Sequence, residues 1–258
     1  MNQQFLQSGF GTHVKSIITT LMVLFIIIFI LAEPGSSSQK RSFPPWDEGV
    51  FAEVANRHGE QASARFRDVY YLIQVHLNDP VETQLEVVND YMNELPWIAD
   101  SELWKQPDYW ATPFETVTTF GGDCEDIAIA KYAVLRLMGI PDDHLGFAHV
   151  LTKEQEHHMV LVYKHPDEVD SYILDNQHPR VAAAKKRADL KAIYAFKNDG
   201  TLYVIQDNGN ANRKLLAKKK NQRLSKWQSA KKRSEENAAH YIKFNNGRPL
   251  APDWVGQR

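Results

Sequence analysis

Gly121-Gly122-Asp123-Cys124-Glu125-Asp126 runs directly into Ile127, Ala130, Val134, Leu137 and Met138, apolar positions that recur at spacings of three and four. That period is helical, and Gly139 and Pro141 supply its stop. The only cysteine of the chain therefore stands in the first turn of a helix. Unpaired backbone N–H groups there carry partial positive charge, which favours a thiolate and should lower the thiol pKa. Counting back three from Ile127 puts Cys124 on the apolar stripe, facing the body of the domain or a cleft in it. A lone thiol so placed is either a small buried hydrophobe or a nucleophile.

Downstream, His157-His158-Met159-Val160-Leu161-Val162-Tyr163 reads as one strand and Ser171-Tyr172-Ile173-Leu174-Asp175-Asn176 as a second. A thiol nucleophile needs a base to share its proton and a third group to fix the tautomer of the imidazole. Histidine at the head of one strand and aspartate at the end of its neighbour supply both. Chain order alone does not select among ten histidines. Side chains alternate along a strand, so only one of His157 and His158 can look at Cys124.

Asp123, Glu125 and Asp126 crowd the thiol, and their uncompensated charge would raise its pKa. Two readings fit this spacing. Asp123 as N-cap, with two acids in the first turn, complements the helix dipole. Alternatively, clustered carboxylate oxygens hold a hard divalent cation such as calcium. No EF-hand loop is present, so further ligands would come from elsewhere in the fold.

The run Tyr109-Trp110-Ala111-Thr112-Pro113-Phe114-Glu115, the block from Gly121 to Ala128, His158-Met159-Val160-Leu161 and Leu174-Asp175-Asn176 together resemble the bacterial transglutaminase-like cysteine proteinases. Within that family they resemble the LapG-type periplasmic proteases that release large surface adhesins. The resemblance covers roughly residues 43 to 206. It implies Cys124 as nucleophile, His158 as base and Asp175 as the orienting residue. It also implies calcium dependence through the flanking acids, here Asp123 and Glu125. Its implied substrate is the N-terminal part of a large repeat-containing adhesin, cut near a paired-alanine site. Its implied partner is a LapD-like inner-membrane receptor that responds to cyclic-di-GMP and restrains the enzyme.

The order of elements is α+β. Helices are expected at 48–57, 61–77 and 81–95, punctuated by Asn78-Asp79-Pro80 and Pro96. Phe66, Val69, Tyr70, Ile73 and Val75 make an apolar face on the second, and Leu85, Val88, Tyr91 and Met92 on the third. After the cysteine helix, strands are expected at 145–151, 159–163, 171–175, 192–196 and 202–205. Helices followed by a run of strands imply an antiparallel sheet. The family resemblance implies the papain-like or transglutaminase-like fold, with the nucleophile helix packed on such a sheet. Trp97, Trp104, Tyr109 and Trp110 form an aromatic patch before the cysteine, either packed around its helix or lining a cleft.

At 258 residues and 43% hydrophobic content the chain holds one main domain, expected at 43–206, with appendages. Lys15 precedes a sixteen-residue apolar run, Ile17 to Ala32, interrupted by Thr19 and Thr20. Residues 1–42 therefore read as an export signal plus linker, either cleaved or kept as an inner-membrane anchor, and the protein as periplasmic. A single cysteine excludes an internal disulfide and leaves the exported thiol unpaired. Residues 207–258 read as a basic extension carrying Lys218-Lys219-Lys220, Lys226 and Lys231-Lys232-Arg233. It is either solvated or in contact with head groups or an acidic partner. A net charge of -2 gives no drive toward nucleic acid.

Thiol proteolysis has three rivals. The same acyl-enzyme can be resolved by an amine, which makes a transglutaminase-like acyl transferase. An idle thiol beside the acids makes a non-catalytic calcium-binding regulatory module. A membrane-tethered structural protein would depend on residues beyond Asp207 more than on Cys124.

Overall fold

The computed structural model describes residues 40–207, 213–220 and 224–256. The expected export segment lies outside the described residues apart from 40–42. Among the described residues no helix is long and apolar enough to cross a membrane. Among the described residues six helices come first: α1 (Glu48–His58), α2 (Glu60–His76), α3 (Val81–Asn93), the short α4 (Asp100–Leu103), α5 (Pro113–Thr119) and α6 (Cys124–Leu137). Strands β1 (Leu145–Leu151), β2 (His157–Tyr163), β3 (Tyr172–Leu174), β4 (Ala182–Ala183), β5 (Lys191–Phe196), β6 (Thr201–Asp207) and β7 (Arg213–Lys220) follow, and α7 (Ser225–Ile242) comes after them. The strands form one antiparallel sheet of order β4-β3-β2-β1-β5-β6-β7.

The apolar stripes build the core as the spacing predicts. Phe66, Val69, Tyr70 and Ile73 of α2 are buried with Leu85, Val88 and Met92 of α3. Val75 is the exception at 69% exposure, because it falls off the three-and-four repeat of its helix. The cysteine helix α6 is buried on nearly every side, from Asp126 to Arg136. It packs between α3 and α5 on one side and β2 on the other. Helix α5 starts on a capping box, with Thr112 Oγ1 accepting from Glu115 N at 3.1 Å and Glu115 Oε2 from Thr112 N at 2.7 Å.

Residues 207–258 read as a basic extension, either solvated or in contact with head groups or an acidic partner; the described residues of that segment are built into the domain. Lys218 to Lys220 lie on β7, paired with β6. On α7, Trp227, Ala230 and Tyr241 are buried, and Trp227 packs its ring against Tyr132, Phe147 and Phe196. Basic composition concealed this apolar seam. Lys226 pairs with Asp108, and Arg233 lies over the Tyr109 ring and donates to the Trp110 carbonyl. The helix thus braces the segment that precedes the cysteine. Trp227→Ala is expected to cost about 3–5 kcal/mol of stability, read by urea denaturation. A solvated extension would lose almost nothing.

Candidate active site

Cys124 is the first residue of α6, and Asp123 is its N-cap in extended backbone. The close approach that places them depends on Gly122. A Cβ there would lie 2.6 Å from the Asp126 Cβ, so Gly122→Ala must displace the start of the helix. The Cys124 thiol donates to Glu125 Oε2 at 3.1 Å. Contrary to the expectation from the helix start, the thiol pKa is raised, first by burial and then by the charges of Glu125 and Asp123. Burial, together with the carboxylates beside the thiol, outweighs the helix dipole. Working against that rise, the backbone N–H of Met159 is directed at the sulfur.

That contact puts the thiol against β2 one residue from His158. Strand β3 ends at Leu174, opposite Leu161, so it leaves the edge of β2 at Met159 uncovered. His158 is 2% exposed, and its Nε2 lies 2.7 Å from Oδ1 of Asp175, itself 1% exposed. With the carboxylate accepting there, Nε2 carries the hydrogen and Nδ1 is the remaining ring nitrogen. Gln177 N donates to the same Oδ1 at 2.8 Å, and Arg187 Nη2 to Oδ2 at 2.7 Å. Burial works to raise the Asp175 pKa, but the His158 bond, the Gln177 amide and Arg187 outweigh it and hold the carboxyl well below its ordinary range. His157 takes the other direction. It is exposed and pairs with His149, Nδ1 to Nε2 at 2.8 Å, and His149 stacks on Tyr194.

The acids form a second constellation. Asp123 makes no capping hydrogen bond with its side chain, so the capping reading fails at its central contact. Its carboxylate gathers instead with Asp100 and Asp126, their ligand atoms within 4.8 Å of one another. Asp126 Oδ1 accepts from Ala111 N at 2.6 Å, and Asp100 Oδ2 from Tyr109 N at 2.5 Å. The oxygens left over, Asp123 Oδ1, Asp126 Oδ2 and Asp100 Oδ1, are buried without a hydrogen-bond partner. Three unpartnered buried carboxylate oxygens in one place cost free energy unless protons or a cation join them. Burial pushes the Asp126 carboxyl up to about 8, and burial followed by Glu125 and Asp126 raises Asp123 as well. Glu125 is grouped with Asp123 and Cys124, and with Asp100 and Asp108.

The sequence did not point to Asp100 or Asp108, because no local spacing links residues 100–108 to α6; Asp126 stood among the clustered acids, but the family likeness implied only Asp123 and Glu125. The aromatic patch divides: Trp110 stacks on Phe196, Trp104 meets Tyr109 at a tilt, and Trp97 stays 58% exposed beside Gly122.

A thiol at the start of a buried helix, laid against an antiparallel sheet that carries a buried His–Asp pair, defines a transglutaminase-like cysteine protease fold. Comparison with known proteins agrees. The chain belongs to the bacterial transglutaminase-like cysteine proteinase (BTLCP) family, whose model matches residues 56–198. EGTA-treated LapG of Legionella pneumophila is 30% identical, with a TM-score of 0.61, over 74% of this chain and 99% of its own. The calcium-bound form of that protein is 31% identical, with a TM-score of 0.60, over 72% and 98%. No curated protein matches the sequence.

Proposed function

We propose that this protein is a calcium-dependent periplasmic cysteine endopeptidase that cuts the N-terminal region of a large surface adhesin and so releases it. The observation that carries the reading is the buried His158–Asp175 pair, whose histidine is followed on its strand by Met159, the residue that directs its backbone N–H at the Cys124 thiol. Cys124 gives its proton to His158 Nδ1 and attacks the scissile carbonyl, and its own backbone N–H stabilises the oxyanion. His158 then protonates the departing amine, leaving a thioester. It next takes a proton from water, whose oxygen attacks that thioester, and the acid product and free thiol follow. Asp175 keeps Nε2 as the hydrogen-bearing nitrogen throughout and stabilises the imidazolium.

The acid cluster fits a hard cation, since it offers carboxylate oxygens alone and three of them lack partners. Asp123, Asp126 and Asp100 would hold calcium, with Glu125 at its border, and the bound charge would offset the acids that oppose a thiolate. That a solved relative is calcium-bound supports calcium as the cation. Release of an adhesin, control of biofilm attachment, restraint by a LapD-like cyclic-di-GMP receptor, and export by residues 1–42 extend the likeness to LapG-type enzymes.

The test is to incubate the protein with the N-terminal region of the largest exported repeat adhesin of its host, with and without chelator, and to weigh the products. Discrete cleavage that needs both Cys124 and calcium is expected. Products carrying a new amine instead of water would mean acyl transfer, and no cleavage by the folded, calcium-loaded protein would sink the adhesin assignment.

A further inference from the structure

Resting on the protease reading, we propose that Arg187 is the positioning residue of this site, a buried guanidinium that locks the Asp175 carboxylate in the orientation His158 requires. Arg187 is 4% exposed and forks between two acids. Its Nη2 reaches Asp175 Oδ2 and Asp189 Oδ2, both at 2.7 Å, and its Nε reaches Asp189 Oδ1 at 3.0 Å. Planar, bidentate donation of this kind fixes geometry as well as charge.

The division of labour on Asp175 makes the contact decisive. Oδ1 serves His158 and the Gln177 amide. Arg187 is the hydrogen-bonding ion partner of Oδ2. Without it a buried carboxylate oxygen is stranded, and the group answers by turning away or by taking a proton. Either response removes the acceptor that sets the His158 tautomer. Asp189, 35% exposed at its side chain, anchors Arg187 from the solvent side. Asp175 itself is held in place through its backbone, where Asn93 Nδ2 donates to its carbonyl at 3.0 Å. The remaining charge near Asp175 is Lys131 on α6, buried and hydrogen-bonded to Asn89 at 2.8 Å, with Asp90 as its other acidic neighbour. His149, paired with His157, is near enough to feel the charge of His158.

The effect is measured without knowing the substrate. In the calcium-loaded full chain, the rate of Cys124 alkylation by iodoacetamide is followed against pH, and the His158 ring protons by NMR. Arg187→Gln is expected to slow alkylation at pH 7 about tenfold, to move the acid limb of the profile upward by about one unit, and to abolish the protected Nε2–H resonance. Arg187→Lys, which keeps the charge and loses the fork, falls between, and Asp189→Asn retains most of the rate. Wild-type resonance and wild-type profile in a folded Arg187→Gln protein would overturn the proposal. If that variant fails to fold, wild-type behaviour of Arg187→Lys in both readouts overturns it equally. Because both readouts report on the thiol and imidazole directly, absence of adhesin cleavage would count against the protease reading and leave this inference standing.

Discussion

Cys124→Ala is expected to abolish peptide hydrolysis, a loss of roughly 10⁴-fold or more, while leaving the fold and calcium uptake intact. The structure separates these properties cleanly. The thiol supplies none of the three unpartnered oxygens of the acid cluster, and Cys124 is half-buried at the rim of the core, so its truncation removes little packing. Calorimetric calcium titration of Cys124→Ala should therefore match the parent protein, while mass spectrometry of the incubated substrate shows a single uncut species. Cleavage at the parent rate would mean that the hydrolysis does not run through Cys124, whereas an uncut substrate with both Cys124→Ala and the parent protein, each calcium-loaded, would favour the calcium-binding-module reading. His158→Ala should lose a similar factor, since nucleophile and base act as a unit and their losses do not add. The double variant is then no slower than either single one.

Much of this arrangement could be read from the chain because it is local. The stripe from Ile127 to Met138 announces a helix, and the acids around Cys124 are contiguous with it. The strand at 145–151 and the helix starting at Val81 follow from simple periodicity. Three features were out of reach. Strand β7 is an edge strand rich in lysine, and polar edges carry no apolar alternation. Helix α7 buries one seam, Trp227, Ala230 and Tyr241, inside a strongly basic composition. Asp100 and Arg187 reach the site through long-range placement: Tyr109 N–H ties Asp100 to the loop before α5, and β4 with its following turn delivers Arg187. Chain order pointed to His158 and Asp175 only through the family likeness. The alternation argument permitted either histidine; the structure turns His157 outward to His149 and His158 inward to Asp175.

Calcium removal should change not only the stability of the protein but the direction in which stability depends on pH. In the metal-free state Asp126 holds its proton up to about 8, and Asp123 is raised by burial and by its acidic neighbours. In the unfolded chain both release their protons near 4. Between those limits the folded state binds more protons than the unfolded one, so stability present below about 4 is lost as the pH climbs toward 8. Bound calcium keeps both carboxylates ionised, and this slope disappears. Histidines whose pKa is lowered by burial, such as His149, give the opposite slope below about 6.5 in both forms. The informative quantity is therefore the difference in melting temperature between calcium-loaded and chelated protein. It should widen steadily from pH 5 to 7, a window below the titration of buried Lys131 at about 7. Asp126→Asn should flatten that difference by removing a ligand and one of the two raised carboxyls together. A difference that stays constant across the window would mean that the acids are ionised without the metal and that the cluster is not its site.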